Sequence, residues 1–426
     1  MQRLLRSSFL RAAFVLASGT TLAQVIPFLL TPILTRLFTP DDMGVFSLYF
    51  SFVIVFLGAL SLGFTYALVS ADEEDVLGLL SLCIYSIALL TAPISGIALF
   101  LIHQDLLGFG DLSKWAVLSI ALSLIVTELF TVLRYAVLRE GKYRILANAT
   151  VNQSIARIGS QVLMGFVNLG WWGLTFGDAV GRAVGVRKLW LCVPYSARDI
   201  LSGSSWNRLK EIARKYRDFP YYSAPGAIVD SLSAQIVAPL LAVQFGLAVA
   251  GQYGIVLRLV ILPVTLVGGS VADVFHNRLA EAARAKSGSA ERLFLAVAAG
   301  LLVVGLILAG VLVLLNNGIW GAVLGEQWAE AGQYAVAIAP RAAAAMVTMP
   351  VSRTVLVFGG QKIKLAYNLF NIVTVISAMQ LASQVDWNAL ETITAVSWAQ
   401  AGASVVYFLL QWKITRRGSM ETSTLV

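Results

Sequence analysis

The stretch YAVAIAPRAAAAMVTMPVSRTVLVFGG, residues 334–360, is an almost unbroken apolar run that carries two arginines, Arg341 and Arg353, each close behind a proline. About 20 apolar residues cross the roughly 30 Å of hydrocarbon in a bilayer, so the run reads as a membrane span. An arginine at mid-bilayer costs about 2.5–3.5 kcal/mol on insertion scales, so such charges face a partner or a water-filled space. Arg341 and Arg353 are twelve residues apart, about 18 Å along a helix axis, which places one in the outer half of the span and the other near its inner mouth.

The rest of the chain has the same character. Of its 426 residues 58% are hydrophobic and only 13% charged, against about a quarter charged in soluble proteins. Twelve apolar runs of span length follow one another, near residues 12–35, 44–69, 76–102, 115–138, 145–169, 171–195, 220–245, 249–273, 293–315, 331–358, 363–384 and 388–412. The expected fold class is an all-α integral membrane protein. The first run follows Arg3, Arg6 and Arg11 but stays apolar to Leu34, too long for a cleaved signal sequence.

Orientation follows the lysines and arginines. With the N-terminus cytoplasmic, 21 of the 31 lie in the inner loops and tails, Arg36 and Lys114 lie outside, and eight lie within spans. Both ends are thus expected inside. The one awkward inner loop is the acidic ADEED at 71–75. A net charge of +8 fits a basic inner face beside anionic lipid and needs no nucleic acid. Cys83 and Cys192 fall within spans without partner spacing, and His103 and His276 are isolated, so neither a disulfide framework nor a metal site is indicated.

The polar segment 196–219 divides the spans six and six, giving an expected first lobe over 1–198, a cytoplasmic linker over 199–218 and a second lobe over 219–426, the lobes surrounding a central cavity. Phe38, Gly44 and Phe46 recur as Phe245, Gly251 and Tyr253 at a constant offset of 207, a parallel repeat. In the linker, Trp206, Leu209, Ala213 and Tyr216 share one helical face opposite five basic residues, which suits a helix on the membrane surface or a solvated tether. In the sixth span Gly173, Gly177, Gly181 and Gly185 form a stripe that lets a neighbouring backbone approach.

The intramembrane charges are the candidate site. Arg157, Arg182, Arg258 and Arg341 lie well inside their spans; Arg134, Arg187, Lys188 and Arg353 lie nearer the cytoplasmic ends, where long side chains can snorkel. Against them stand Glu128, Asp178, Asp230 and Asp273. Asp178 and Arg182, four apart, share a helix face and can pair, whereas Glu128 and Arg134, six apart, point oppositely. The cationic surplus suggests a cavity that receives an anion, with carbonyls freed by Pro340 and Pro350 as the structural alternative. Gln24, Asn152, Gln153 and Gln235 are candidate sugar contacts, or interhelical hydrogen bonds. Asp178, Asp230 and Glu128 are candidates for coupling to H⁺ or Na⁺.

Three segments resemble Wzx-type polysaccharide flippases, of the multidrug/oligosaccharidyl-lipid/polysaccharide exporter superfamily. LASGTTLAQVIPFLLTPILTRLFTPDDMGVFSLY is similar to their first helix and following turn, ARKYRDFPYYSAP to the entry of their seventh, and VLGEQWAEAGQYAVAIAP with PVSRTVLVFGGQKIK to their tenth. GFTYALV at 63–69 departs from the family's R-Y-E-L-A-I type sequence, losing an arginine and a glutamate. The resemblance implies two six-helix lobes and alternating access. It also implies a substrate, an oligosaccharide repeat unit of O-antigen or exopolysaccharide on undecaprenyl diphosphate, carried across the bacterial inner membrane beside a polymerase and a chain-length regulator. No cofactor beyond a coupling ion and no enzymatic activity are expected, and a multidrug cation antiporter or a lipid II flippase is the alternative reading.

Overall fold

The computed structural model describes residues 2–284, 289–315 and 318–421, with side chains from 15 to 417 within those limits. The side chains of Arg3, Arg6 and Arg11 lie outside the described residues. The chain divides into two compact units, 1–235 and 236–426.

The first unit contains α1 (Gln2–Leu37), α2 (Pro40–Leu60), the short α3 (Phe64–Ala67), α4 (Val76–His103), α5 (Ala116–Arg139), α6 (Tyr143–Phe166) and α7 (Trp171–Trp190). Two connector helices, α8 (Ala197–Ser202) and α9 (Trp206–Lys215), precede α10 (Ala224–Gln235). The turn TPDD starts α2 by simple chemistry. Thr39 Oγ1 accepts from the Asp42 amide at 3.2 Å, Asp42 accepts in return from the Thr39 amide at 3.1 Å, and Pro40 takes the first helical position, where no amide hydrogen is needed.

The second unit contains α11 (Val237–Phe245), α12 (Leu247–Arg284), α13 (Ser289–Leu314), α14 (Ile319–Leu324), α15 (Ala331–Val351), α16 (Thr354–Val357), α17 (Gln361–Gln384) and α18 (Ala389–Glu421). The helix α15 is its centre, packed on α12, α13 and α18. Of the recurring residues, Gly44, Phe46, Gly251 and Tyr253 are all buried, whereas Phe38 is buried and Phe245 half-buried.

Twelve spans are present among the described residues, counting α10 and α11 as one bent by 42°. Ten, that bent pair included, are apolar enough to cross a membrane on composition alone; α6 and α7 are not, and these two carry Arg157, Asp178 and Arg182. Two expected runs are interrupted. The run 44–69 breaks at Ser61–Gly63, where Leu62 and Gly63 take φ of 52° and 72°, and the run 331–358 breaks after Val351. Arg341 and Arg353 therefore do not share one regular helix.

The connector also differs from its expected part. In place of a tether between lobes, α9 packs on α4, burying Leu209 and Ile212 and leaving Trp206 exposed under the Lys210 ammonium. Gly78 of α4 makes room, since a Cβ there would collide with Ile212. The acidic loop explains the docking. Asp75, 2% exposed, accepts from Arg208 at 2.9 Å, Lys215 at 2.5 Å and the Tyr216 hydroxyl at 3.2 Å. Next, α10 packs on α2, so the first unit closes at Gln235, within the seventh span.

Bonding first to Asp72 and then to Asp75 holds the Lys215 ammonium above its ordinary value of 10.5. A base raised by folding stabilises in full below its unfolded value and loses that contribution as pH climbs toward the folded one. The connector is accordingly expected to stay docked through neutral pH and to loosen above about pH 10.5. Lys215→Met should loosen it already at pH 7. Limited proteolysis across residues 203–217 reads both effects, and equal cleavage of variant and wild type at pH 7 would refute the assignment.

Candidate functional site

The glycine stripe of α7 builds a charged site within the spans of the first unit. Its residues lie against α6 and α5, and a Cβ would meet Met164 at 3.0 Å from Gly173, Gln161 at 2.8 Å from Gly177 and Phe130 at 2.7 Å from Gly185. At Gly181 it would overlap the Arg157 backbone itself. That approach brings a guanidinium of α6 to a carboxylate of α7. Asp178, 1% exposed, accepts from Arg182 Nε at 2.7 Å and lies 3.7 Å from Arg157 Nη1. The second distance is that of an ion pair without a hydrogen bond, and Asp178 Oδ1 has no hydrogen-bond partner.

Beside this triad lies a cavity of about 260 Å³ lined by Thr20, Gln24, Arg134, Gln153, Arg157 and Arg182, with Ala23, Thr150 and Ser154 completing its wall. Three arginines stand against one carboxylate, leaving a formal surplus of two positive charges. Gln153 Nε2 is buried without a hydrogen-bond partner, and Ser154 is fixed by donating to the Ala23 carbonyl at 2.5 Å. Buried donors in native proteins are nearly always satisfied, so an orphaned amide on a polar cavity wall points to a bound acceptor. Anions with hydroxyl groups match this lining, since guanidinium binds oxyanions bidentately and amides and hydroxyls exchange hydrogen bonds with sugars.

Five of the thirteen residues singled out from sequence thus meet at this cavity: Gln24, Arg134, Gln153, Arg157 and Arg182, with Asp178 directly behind. The others are elsewhere. Asn152 is exposed and, with its amide turned, accepts from Lys188 Nζ at 3.0 Å. Gln235 accepts from Ser51 at 3.5 Å, holding α10 to α2, while Asp230 is exposed on α10 and has partners of its own. Glu128 is 2% exposed and faces Thr65, well away from Arg134, as their spacing requires.

In the second unit Arg341 donates to the hydroxyl of Tyr253, a residue of the repeat, at 2.6 Å. Arg258 is half-buried on α12 and also has partners. Arg353, at the break after α15, lies 3.7 Å from Asp273, both being exposed. The sequence reading missed Arg157 as a second partner of Asp178; the stripe of glycines facing α6 was its available signal.

A family model described as "Polysaccharide biosynthesis protein" matches residues 33–333. The chain belongs to this family. Among curated protein sequences none matches it. Its fold is that of the MOP superfamily transporters. An inward-facing multidrug resistance MATE family transporter of that superfamily aligns with a TM-score of 0.66 at 14% identity, over 96% of this chain and 95% of the other. The lipid II flippase MurJ, in an inward closed conformation, aligns at 0.68 and 12% identity over 96% and 91%. A MOP superfamily transporter from Pyrococcus furiosus, whose binding pocket is described as reversed in polarity, aligns at 0.59 and 16% over 97% and 96%. The resemblance to Wzx-type flippases read from the sequence agrees with both the family and the fold, and the chain is a multi-pass membrane protein.

Removing Asp178 strands two buried guanidinium groups, which typically costs about 3–5 kcal/mol. Asp178→Asn is expected to lose stability on that scale, and Gly181→Val about 1–3 kcal/mol through overpacking against Arg157, whereas Arg134→Ala should be near neutral. Unfolding of the purified protein in mixed micelles measures all three, and equal stability of Asp178→Asn and wild type would contradict the clamp.

Proposed function

We propose that the protein is a flippase for lipid-linked oligosaccharides, and that the cavity of Arg134, Arg157 and Arg182 holds the anionic diphosphate head group. The observation that carries this reading is the cationic surplus at a part-open cavity among the spans, with an orphaned amide beside it. A space of about 260 Å³ lies below the 300–1,000 Å³ of ordinary ligand pockets, so it suits a head group or first sugar rather than a whole repeat unit. Gln24 and Gln153 line the same wall and supply sugar contacts. The polyisoprenoid tail stays in lipid, where its apolar surface costs nothing.

Membership of a polysaccharide biosynthesis family and the likeness to a lipid II flippase support undecaprenyl-diphosphate-linked repeat units of O-antigen or exopolysaccharide type as cargo. They likewise support the bacterial inner membrane as location, and the polymerase and chain-length regulator of the same pathway as partners. Transport proceeds by alternating access coupled to H⁺ or Na⁺, and Arg341 and Arg258 of the second unit serve as further contacts during passage. Arg353, exposed beside Asp273, is an entrance contact at most. The multidrug reading fits less well, because a cationic substrate needs an available carboxylate and Asp178 is already neutralised from two sides.

In a strain deleted for this gene an undecaprenyl-linked oligosaccharide should accumulate, and the wild-type gene should clear it. Arg157→Ala, Arg182→Ala and Arg134→Ala, each at verified membrane abundance, are expected to reduce clearance at least tenfold, and Arg353→Ala to reduce it little. Arg134 takes no part in the Asp178 clamp, so its variant separates binding from folding. Full clearance by Arg134→Ala and Arg157→Ala together would remove the cavity as the head-group site, and no accumulation in the deletion strain would sink the flippase reading.

A further inference from the structure

Glu128 lies in the middle of α5, 2% exposed, in a helix apolar enough to cross a membrane. Among the described residues no lysine, arginine or histidine nitrogen lies within 4.0 Å of its carboxyl group. The groups that face it are hydroxyls. Thr65 Oγ1 is 3.5 Å from Oε1, Ser61 lies alongside, and Oε2 is buried with no hydrogen-bond partner. The donors are also shared: Thr65 Oγ1 and Ser61 Oγ lie 2.8 Å apart, and whichever hydroxyl donates to the other has no hydrogen left for Glu128. An ionised carboxylate offers about four acceptor sites, and the hydroxyls of Ser61 and Thr65 fill at most two of them, both on one side of the group.

The other ionisable groups around it are uncharged or engaged. Cys83 from α4 lies 3.8 Å from Thr65 Oγ1, and Tyr66 from α3 packs edge-on to Tyr135 of α5, their ring centres 5.7 Å apart. Tyr49 from α2 is bonded to Ser123 one turn before Glu128. On α6 and α7 the charged groups Arg157, Asp178 and Arg182 hold one another. Asp178 and Glu128 are thus opposite solutions to one problem, the first neutralised by protein cations and the second by none.

We propose that Glu128 is a proton-binding site: its carboxyl carries a proton in the conformation described here, and releases it to water when the Ser61–Thr65 turn opens. The turn is suited to that part. It interrupts the second apolar run, holds Leu62 and Gly63 at φ of 52° and 72°, and rests against the Phe219 carbonyl and Ser223 at the entry to α10, each 3.2 Å from where a Gly63 Cβ would stand. Opening it exposes at once the two hydroxyls and the carboxyl they face, and hydration is what makes the anion tolerable. Protonation thereby favours the closed turn and ionisation the open one. That the proton drives transport rests on the flippase reading above; the protonation itself does not.

Infrared spectroscopy of the full chain in lipid nanodiscs tests the site directly. At pH 7 the wild type should show the C=O stretch of a buried protonated carboxyl, absent in Glu128→Gln and shifted in Glu128→Asp. Amide exchange of residues 60–68, corrected for intrinsic base catalysis, should rise with pH in wild type and stay flat in Glu128→Gln. Should Glu128→Gln fail to accumulate, the wild-type band and the shift in Glu128→Asp still decide. A wild type without the band, a band that survives in Glu128→Gln, or exchange equally responsive in both would overturn the proposal. So would loss of the band on replacing choline by Na⁺ at constant pH, which would assign the site to a metal cation. The band persisting in the purified protein while the deletion strain accumulates no undecaprenyl-linked oligosaccharide would leave the proton site standing and remove the flippase reading.

Discussion

A charge inside hydrocarbon has to be compensated by the packing that surrounds it, and the first unit is organised by how it meets that demand at Asp178. Compensation comes from two helices at once, Arg182 one turn along α7 and Arg157 across from α6. The second is possible only because Gly181 presents no side chain to the Arg157 backbone. Packing and electrostatics are therefore one feature here. Van der Waals contact along four glycines brings the helices together, and the ion pair makes their burial tolerable in a membrane, where no hydrophobic force draws helix to helix. The same contact leaves the outward side of Arg157 and Arg182 on a polar cavity, so the clamp that stabilises the lobe also presents its charge.

Local chemistry was readable where the partners lie close in sequence. The TPDD turn announces a capped helix start, and Asp178 with Arg182 declares its pairing by a spacing of four. Most spans were readable from apolarity alone, whereas α6 and α7 fall short of it because of the charges they carry. What escaped depends on distant chain. Arg157 meets Asp178 through backbone proximity, Asp75 gains its three donors from a connector more than 130 residues on, and Asp273 finds Arg353 across a break that no proline occupies. The break at Ser61–Gly63 turns on Leu62 adopting a left-handed φ, a conformation a leucine rarely takes and the apolar pattern of the run does not mark. In the connector, periodicity identified a helix with Leu209 on its apolar face, and Ile212, which it did not single out, fills the space over Gly78.

The two units use the same element differently. The fourth span of the first is α5, with a buried acid among hydroxyls; the fourth span of the second is α15, with Arg341 bonded to a tyrosine. An internal repeat that preserves helix ends and small residues has thus diverged in the sign of its intramembrane charge.

The boundary at Gln235 bears on how the protein can be dissected. A cut in the connector would strip α2 of the helix that covers it, and a cut at Gln235 would leave a new chain end in the middle of a bent span. Neither yields a self-contained half. Fragments divided at Gln235 would each carry part of that bent span, so neither would hold it whole.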